Sequence, residues 1–434
     1  MKNTYIKDIL KAKPPQNIEL YCFVKSIRFH SNQLFIDFTD SSGQIQGVLL
    51  DKERINQHKN LSVESCVKVT GTTVENKNIE IQITDIEVIN PSTINLSPSP
   101  RSNFNVFDAR YTDLVHSKKH LYLRNPQLIA IQQFRNCLLH YVREWFFDNN
   151  FIEIAAPVIT PLTLYEKSSA IPVSLNGQDL FLSQCAGYYL EAACVAFEKV
   201  YNISPSFRGE EGRSKRHLLE YWHIKAEIAF ANFEDIINIV ENFLENLTTK
   251  LKENKDLLEI LATNGLSLTE DALDIPFKRI TYSEAILLLQ QNNYDIPFGK
   301  SISTQHEEVL SKLLGGTFWL VNMPRSIEPF PYRIDENNAD MTMVADLIAS
   351  EGFGEILGTA EKIFDSKELA DRMIEKQKYD DPQYDWIKEV HDSGCPPHVA
   401  FGIGVERLIR WLIKINHVRD AHPFPRVFGR KVTI

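Results

Sequence analysis

The chain has 434 residues, 43% hydrophobic and 24% charged, with a net charge of −10 at neutral pH. These values are ordinary for a folded globular protein and exclude collagen-like and wholly disordered chains, while the length predicts more than one domain. So acidic a chain is a poor nonspecific partner for polyanions, and any nucleic acid must be gripped by local patches. The opening, MKNTYIKDILKAKPPQN, has lysines but no apolar signal core, and no apolar run reaches the roughly 20 residues of a membrane span. Six scattered cysteines without CxxC spacing argue against a zinc site or a disulfide framework. A cytoplasmic protein with no membrane partner is expected.

Residues 18–90 read as short strands, IELYCFVKSIRFH, QLFIDFTD, GQIQGVLLD, SCVKVTGTTVE and IEIQITDIEVIN, separated by turns such as Asp40–Gly43 and Glu75–Asn78. Five strands with an amphipathic segment (KERINQHKNL) midway predict a small Greek-key barrel of the OB type over residues 1–95. That region carries 11 basic and 11 acidic residues, so the whole charge deficit lies downstream. The Pro/Ser-rich stretch from Leu96 to Ser102 predicts a linker, taken as residues 96–118. A second domain is expected over 119–434. It opens with a helix up to Asn149, marked by Leu128, Ile131, Leu138, Val142 and Trp145, and continues into FIEIAAPVITP, a strand broken at Pro157. Strands alternating with one helix follow over 179–230. Next come one long amphipathic helix over 233–262 and a helical insert over 266–316. Strands at 318–322 and 344–362, a helix at 366–377, and a strand running into a helix (AFGIGVERLIRWLIKI) close the chain. Strands and helices mix without a βαβ rhythm. The fold class expected is α+β with a mainly antiparallel sheet and flanking helices, behind an all-β barrel.

The richest stretch is SFRGEEGRSKRHLLEYWHIKAE, residues 206–227. It reads as strand, charged loop, strand, with Arg208 ending the first strand and Arg213, Lys215, Arg216 and His217 in the loop. Cationic groups this close repel one another unless an anion sits among them. On the second strand the period of two puts Tyr221, His223, Lys225 and Glu227 on one face. A polyphosphate held by the arginines could continue into a base stacked on Tyr221. The alternative is a solvated hairpin in which Glu210 and Glu211 pair with the arginines. Arg407 falls in the first turn of the last helix, where it could equally form a salt bridge with Glu406 or another carboxylate. Asp346 and Glu355 flank a Gly-containing strand region and supply the one or two carboxylates that a phosphate-bridging Mg²⁺ needs.

Together these segments resemble motifs 2 and 3 of the class II aminoacyl-tRNA synthetases, and helix 126–149 with FIEIAAPVITP resembles motif 1. SFRGEEGRSKRHLLEYWHIKAEIAF, GEILGTAEKIFDS and GCPPHVAFGIGVERLIRWL look most like the asparaginyl–aspartyl subgroup. The resemblance implies an ATP- and Mg²⁺-dependent ligase that forms an aminoacyl-adenylate and passes it to tRNA, working as a homodimer. It implies Arg208 on the α-phosphate, Glu210 near the adenine, Arg216 and His217 on the outer phosphates, Tyr221 stacked on adenine and Arg407 opposite it or on the γ-phosphate. Asp346 and Glu355 become metal ligands. In the barrel, Phe35 and Gln46 fall where anticodon bases are stacked upon and read, although Phe35 reads equally as a core residue of its alternating strand.

The amino-acid pocket departs from the pattern of that subgroup. Lys225 stands where an acid is usual, Gly187 where a Gln contacts the α-amino group, and Lys362 where an Arg contacts the side-chain end of the substrate. Lys167 and Ser168 replace a Gly-Gly pair beside the retained Glu166. Val399 and Ala400 replace another after His398, while Leu190 is the asparaginyl-like choice. An ammonium at position 225 repels an α-ammonium unless it turns away or pairs with Glu227 or Glu166. Three readings stand: an asparagine–tRNA ligase; a paralogue that adenylates a different carboxylate, an acidic one among the options, and passes it to a non-tRNA amine; and a noncatalytic tRNA-binding or regulatory protein, against which the intact ATP positions count.

Overall fold

The computed structural model describes residues 2–30, 32–164, 167–210, 214–269 and 275–432. Its contacts divide the chain into two compact units, Met1–Ile129 and Ala130–Ile434.

In the first unit five strands, β1 (Asn17–His30), β2 (Gln33–Asp40), β3 (Gly43–Leu49), β4 (Cys66–Glu75) and β5 (Ile79–Asn90), close into a barrel of order β1-β2-β3-β5-β4. Strict alternation builds it: Leu34, Ile36 and Phe38 of β2 and Val67 and Val69 of β4 are buried inside, with half-exposed residues between them. Gly47 is required where β3 crosses this core, because a Cβ there would stand 2.7 Å from Phe38 and 2.8 Å from Ile83. The KERINQHKNL segment forms the short helix Lys52–Gln57, whose N-terminus is capped by the Asp51 carboxylate.

Phe35 lies on the outer face of β2, opposite Arg28 of β1 and Val48 of β3. The core reading of Phe35 is thereby overturned, since strand parity assigns the interior to its neighbours Leu34 and Ile36. Gln46 shares that outer face. The Arg28 guanidinium donates to Gln46 Oε1 at 2.8 Å and to Asp37 Oδ1 at 3.1 Å.

The second unit is built on an eight-stranded sheet. Its strands are β6 (Ile152–Glu153), β7 (Lys199–Phe207), β8 (Glu220–Ala229), β9 (Lys278–Thr281), β10 (Phe318–Val321), β11 (Val344–Ala349), β12 (Gly354–Lys362) and β13 (His398–Gly404). Their order is β9-β10-β11-β12-β13-β8-β7-β6. All pairings are antiparallel except the two edges, β9–β10 and β7–β6. Helix α1 (Pro126–Asp148), whose Ile131, Phe134, Leu138 and Val142 are fully buried, and α2 (Gly187–Phe197) precede β7. After β8 come α3 (Phe233–Glu253), α4 (Thr304–Leu314) and α5 (Val405–Leu412).

Three expectations are corrected. The single helix over 233–262 is two, Phe233–Glu253 and Lys255–Thr263, because Asn254 leaves helical geometry and its side chain caps the second by accepting from Leu257 N–H. The 266–316 insert is not all helical: β9 pairs with β10 as an edge of the main sheet, ahead of Tyr282–Gln291 and α4. The 344–362 region is two strands, β11 and β12, joined by a turn through Gly352 and ending at Gly354, both with positive φ. No helix among the described residues is long and apolar enough to cross a membrane.

Candidate functional site

The β7–β8 hairpin, the start of β12 and the start of α5 converge on one open cavity. Arg208, Glu210, Arg216, His217 and Tyr221 enter it from the hairpin, Glu355 from β12 and Arg407 from α5. Seven residues spread over 200 positions of sequence thus meet, because β8 and β12 both pair with β13, which runs directly into α5. Glu211 and Arg213 of the hairpin loop lie outside the described residues, as does Glu166.

The cavity gathers three guanidiniums, Arg208, Arg216 and Arg407, beside the carboxyl groups of Glu210 and Glu355. The Arg208 guanidinium sits 5.8 Å from the Tyr221 ring centroid, within cation–π range. Arg407 Nη1 is 3.1 Å from Glu355 Oε2, so its carboxylate partner is Glu355. Glu406 turns the other way, accepting from Arg135 at 2.7 Å and from Trp222 N–H at 3.0 Å. Burial alone would raise the Glu355 carboxyl, but Arg407, Arg216 and Arg208 hold it below the usual range. His217 behaves oppositely: burial and the same three guanidiniums push it down to about 4, so it is neutral at pH 7. It is therefore a hydrogen-bonding group of the loop, with Nδ1 2.5 Å from Ser214 Oγ, and not one of its cations.

Asp346 on β11 stands across from Gly358 of β12, where a Cβ would approach its Oδ1 to 3.0 Å. Burial, and then the charges of Glu355, Glu328 and Glu307, push its carboxyl well above the usual range. Carboxylates that repel one another this way form a hard oxygen set that suits a divalent cation. Asp346 and Glu355 therefore fit Mg²⁺. Glu328, raised to about 7 by burial, joins them electrostatically.

Further along β8 the chemistry changes. Lys362 of β12 is buried and donates to Glu191 Oε2 of α2 at 3.0 Å, with Glu227 Oε1 at 3.8 Å. His391 Nε2 lies 2.8 Å from the other Glu191 oxygen. His398 donates its Nδ1–H to the Pro396 carbonyl at 2.9 Å, and its Nε2 is 3.9 Å from Glu191 Oε2. Burial lowers His398, yet its contacts with Cys395, Glu191 and Glu227 outweigh that and raise it to about 10. Gly187 opens α2, its N–H directed at Cys185 Sγ. Among the described residues the ion pairs here run to Lys362 and the histidines, and none joins Lys225 to Glu227.

Sequence reasoning missed Glu191, Glu307, Glu328 and His391. Each is an ordinary acid or histidine within a helix or loop, and only the packing of α2, α4, the helix Asp385–Asp392 and the 323–333 loop gives it a role. A helical period would have put Glu191 on the same face as Gly187, four residues earlier, and that was the one signal available.

Residues 112–427 match the family described as tRNA synthetases class II (D, K and N), and residues 21–89 match the OB-fold nucleic acid binding domain. An antiparallel sheet carrying two arginine elements and paired acids, behind an OB barrel, is the architecture of such a ligase, and the chain belongs to this class II tRNA synthetase family. It is 32% identical over 405 residues to the asparagine–tRNA ligase of Pelotomaculum thermopropionicum, covering 91% of this chain and 92% of that one. Its backbone matches the crystal structure of asparaginyl-tRNA synthetase from Pyrococcus horikoshii complexed with asparaginyl-adenylate, with a TM-score of 0.89, 28% identity and 99% of both chains covered. The asparaginyl-tRNA synthetase of Entamoeba histolytica, also complexed with asparaginyl-adenylate, gives 0.84 at 26% identity over 97% of both chains.

Proposed function

We propose that the protein activates an amino acid of the asparagine–aspartate kind with ATP and transfers it to tRNA. The observation that carries this reading is the convergence of Arg208, Arg216, Tyr221, Glu355 and Arg407 on one cavity. In the reaction the substrate carboxylate attacks the α-phosphorus and pyrophosphate leaves, so no protein nucleophile is required. Arg208 stabilises the charge developing on the α-phosphate, Arg216 and Arg407 hold the outer phosphates, and Tyr221 stacks on the adenine beside Glu210. Asp346 and Glu355 would hold Mg²⁺, which supplies charge neutralisation at the phosphates. Gly187, Lys225, Lys362 and His398 would surround the amino acid, next to the cavity along β8 and β12.

Residues 1–95 would read tRNA through Phe35 and Gln46, with 96–118 as linker and 119–434 for the chemistry. The barrel and the relatives favour tRNA over a small amine as acceptor. A homodimer through α1 and the strand after it is part of the same reading, supported by the apolar surface of Phe147 (80% exposed), Ile152 and Ile159. So is a cytoplasmic location, supported by six free thiols. The test is amino-acid-dependent ATP–pyrophosphate exchange. Removing one guanidinium from the developing charge, in Arg208→Ala, should cost on the order of 10² in rate; unchanged exchange would remove Arg208 from the site.

A further inference from the structure

Strand β8 gives the cavity one lining side chain that the nucleotide assignment leaves without a role, His223. By the period of two it shares a face with Tyr221, and the two rings lie 5.5 Å apart, tilted by 49°. Beside it on β13, Gly402 and Gly404 also line the cavity, so the neighbouring strand presents no side chain there. That space is needed: a Cβ on Gly402 would stand 2.8 Å from His223 Nε2 and 3.5 Å from its Cε1. The other ring nitrogen faces β7, with Nδ1 3.4 Å from Ser206 Oγ. Among the described residues Nε2 makes no hydrogen bond, and it is the nitrogen on the side of the bare glycine.

The surroundings decide the protonation state of the ring. Burial, and then the charges of Lys225, Arg208 and Arg407, hold His223 well below the usual histidine range, so the imidazole is neutral at pH 7. A neutral imidazole has one N–H to give, and the hydrogen bond at one nitrogen sets which. With the Ser206 hydroxyl donating to Nδ1, the proton lies on Nε2. So weak a base is poorly matched to taking a proton from an acceptor hydroxyl, whereas a neutral N–H polarises a carbonyl oxygen well.

We propose that His223 is a catalytic residue of this site, donating from Nε2 to the carboxyl oxygen of the substrate acid that does not bond to phosphorus. This rests on the adenylation reading above and deepens it. With adenine against Tyr221 and the α-phosphate at Arg208, the next group along β8 is the acyl carbonyl, at the level of His223. In activation one carboxylate oxygen bonds to the α-phosphorus, pyrophosphate leaves with its electron pair, and His223 holds the other oxygen. In transfer the tRNA hydroxyl oxygen bonds to the carbonyl carbon, and the C=O pair moves onto the oxygen held by His223. That pair returns as the bond to the phosphate oxygen breaks, and AMP leaves with the hydroxyl proton. His223 keeps its own proton throughout.

The test uses the full-length protein with His223→Gln, whose amide nitrogen takes the place of Nε2, and His223→Asn, whose shorter amide reaches only the place of Nδ1. Pyrophosphate exchange with L-asparagine and with L-aspartate reads activation. Single-turnover transfer to unfractionated tRNA from the preformed adenylate reads the second step, and melting temperatures verify folding. His223→Asn should lower kcat of exchange and the transfer rate on the order of 10²-fold, the scale of one donor to a developing oxyanion, with KM for ATP unchanged. His223→Gln should stay close to native in both. Native rates in His223→Asn, or a folded His223→Gln as slow as that variant, overturn the proposal and leave the adenylation reading standing. A raised KM for ATP with unchanged kcat makes His223 a nucleotide-packing residue and overturns it as well. Where one variant does not fold, the other still decides. Exchange with neither amino acid in the native protein overturns both readings.

Discussion

Arg216 Nη1 stands 2.7 Å from Glu307 Oε2, an ion pair that ties the β7–β8 hairpin to the first turn of α4. Both side chains are largely buried. Gly354 makes room for them: a Cβ there would approach Glu307 Oε2 to 2.6 Å and Arg216 Nη1 to 2.8 Å, and its φ of +73° is costly for any other residue. The segment between α3 and β10 thus positions an arginine of the cavity without lining that cavity itself.

Glu307→Gln should raise KM for ATP about three- to tenfold, since a freed Arg216 loses a charge-assisted hydrogen bond that orients it. The value of kcat should change less, and KM for the amino acid not at all. Steady-state exchange kinetics separate these quantities. An equal fall in kcat with either substrate would make Glu307 a purely structural residue.

On the barrel, Phe35→Ala should weaken tRNA binding by roughly 1–3 kcal/mol, the scale of one base stacked on an aromatic ring. Because Phe35 lies on the outer face, the melting temperature should hardly move. Filter binding and thermal denaturation of the same variant check both halves. Gln46→Ala should weaken binding too, and would also free the Arg28 guanidinium from one of its acceptors.

A stability prediction concerns Arg135 and Glu406, joined at 2.7 Å and both buried. Arg135→Met strands the Glu406 carboxylate and should cost about 3–5 kcal/mol of unfolding free energy. Adding Glu406→Gln should recover much of that loss, because an uncharged amide can still accept from Trp222 N–H. Denaturant titration of the single and double variants measures the recovery, and its absence would mean that packing and not charge holds these helices.

The pH dependence of stability carries a signature of Glu227. Burial raises its carboxyl from 4.5 to about 7 in the folded protein. Between those values the folded state keeps a proton that the unfolded state releases, so stability falls as pH rises through this window. Glu227→Gln should flatten that fall, with its melting temperature gaining on the native protein from pH 4.5 to pH 7. A constant difference across the window would show that Glu227 does not titrate there.

The barrel and the hairpin residues that meet in the cavity were legible in the sequence because they depend on local pattern, and the class was legible through the resemblance of its combined motifs. Strand alternation placed Tyr221, His223, Lys225 and Glu227 on one face. The arginines of the β7–β8 hairpin announced an anion by their mutual repulsion, and turn chemistry fixed the barrel strands to within about two residues. Tertiary structure decided which charges meet. Phe35 as outer or core residue, Glu355 and not Glu406 as the partner of Arg407, and the capture of Lys362 by Glu191 all turn on sheet register and helix docking. A one-residue change in register moves a side chain to the opposite face, and no local periodicity records which distant strand lies beside it. The same holds for Lys225. Its charge is written in the sequence, but its position beside Gly187 and Gly402 exists only where α2 docks over the β8–β13 pair.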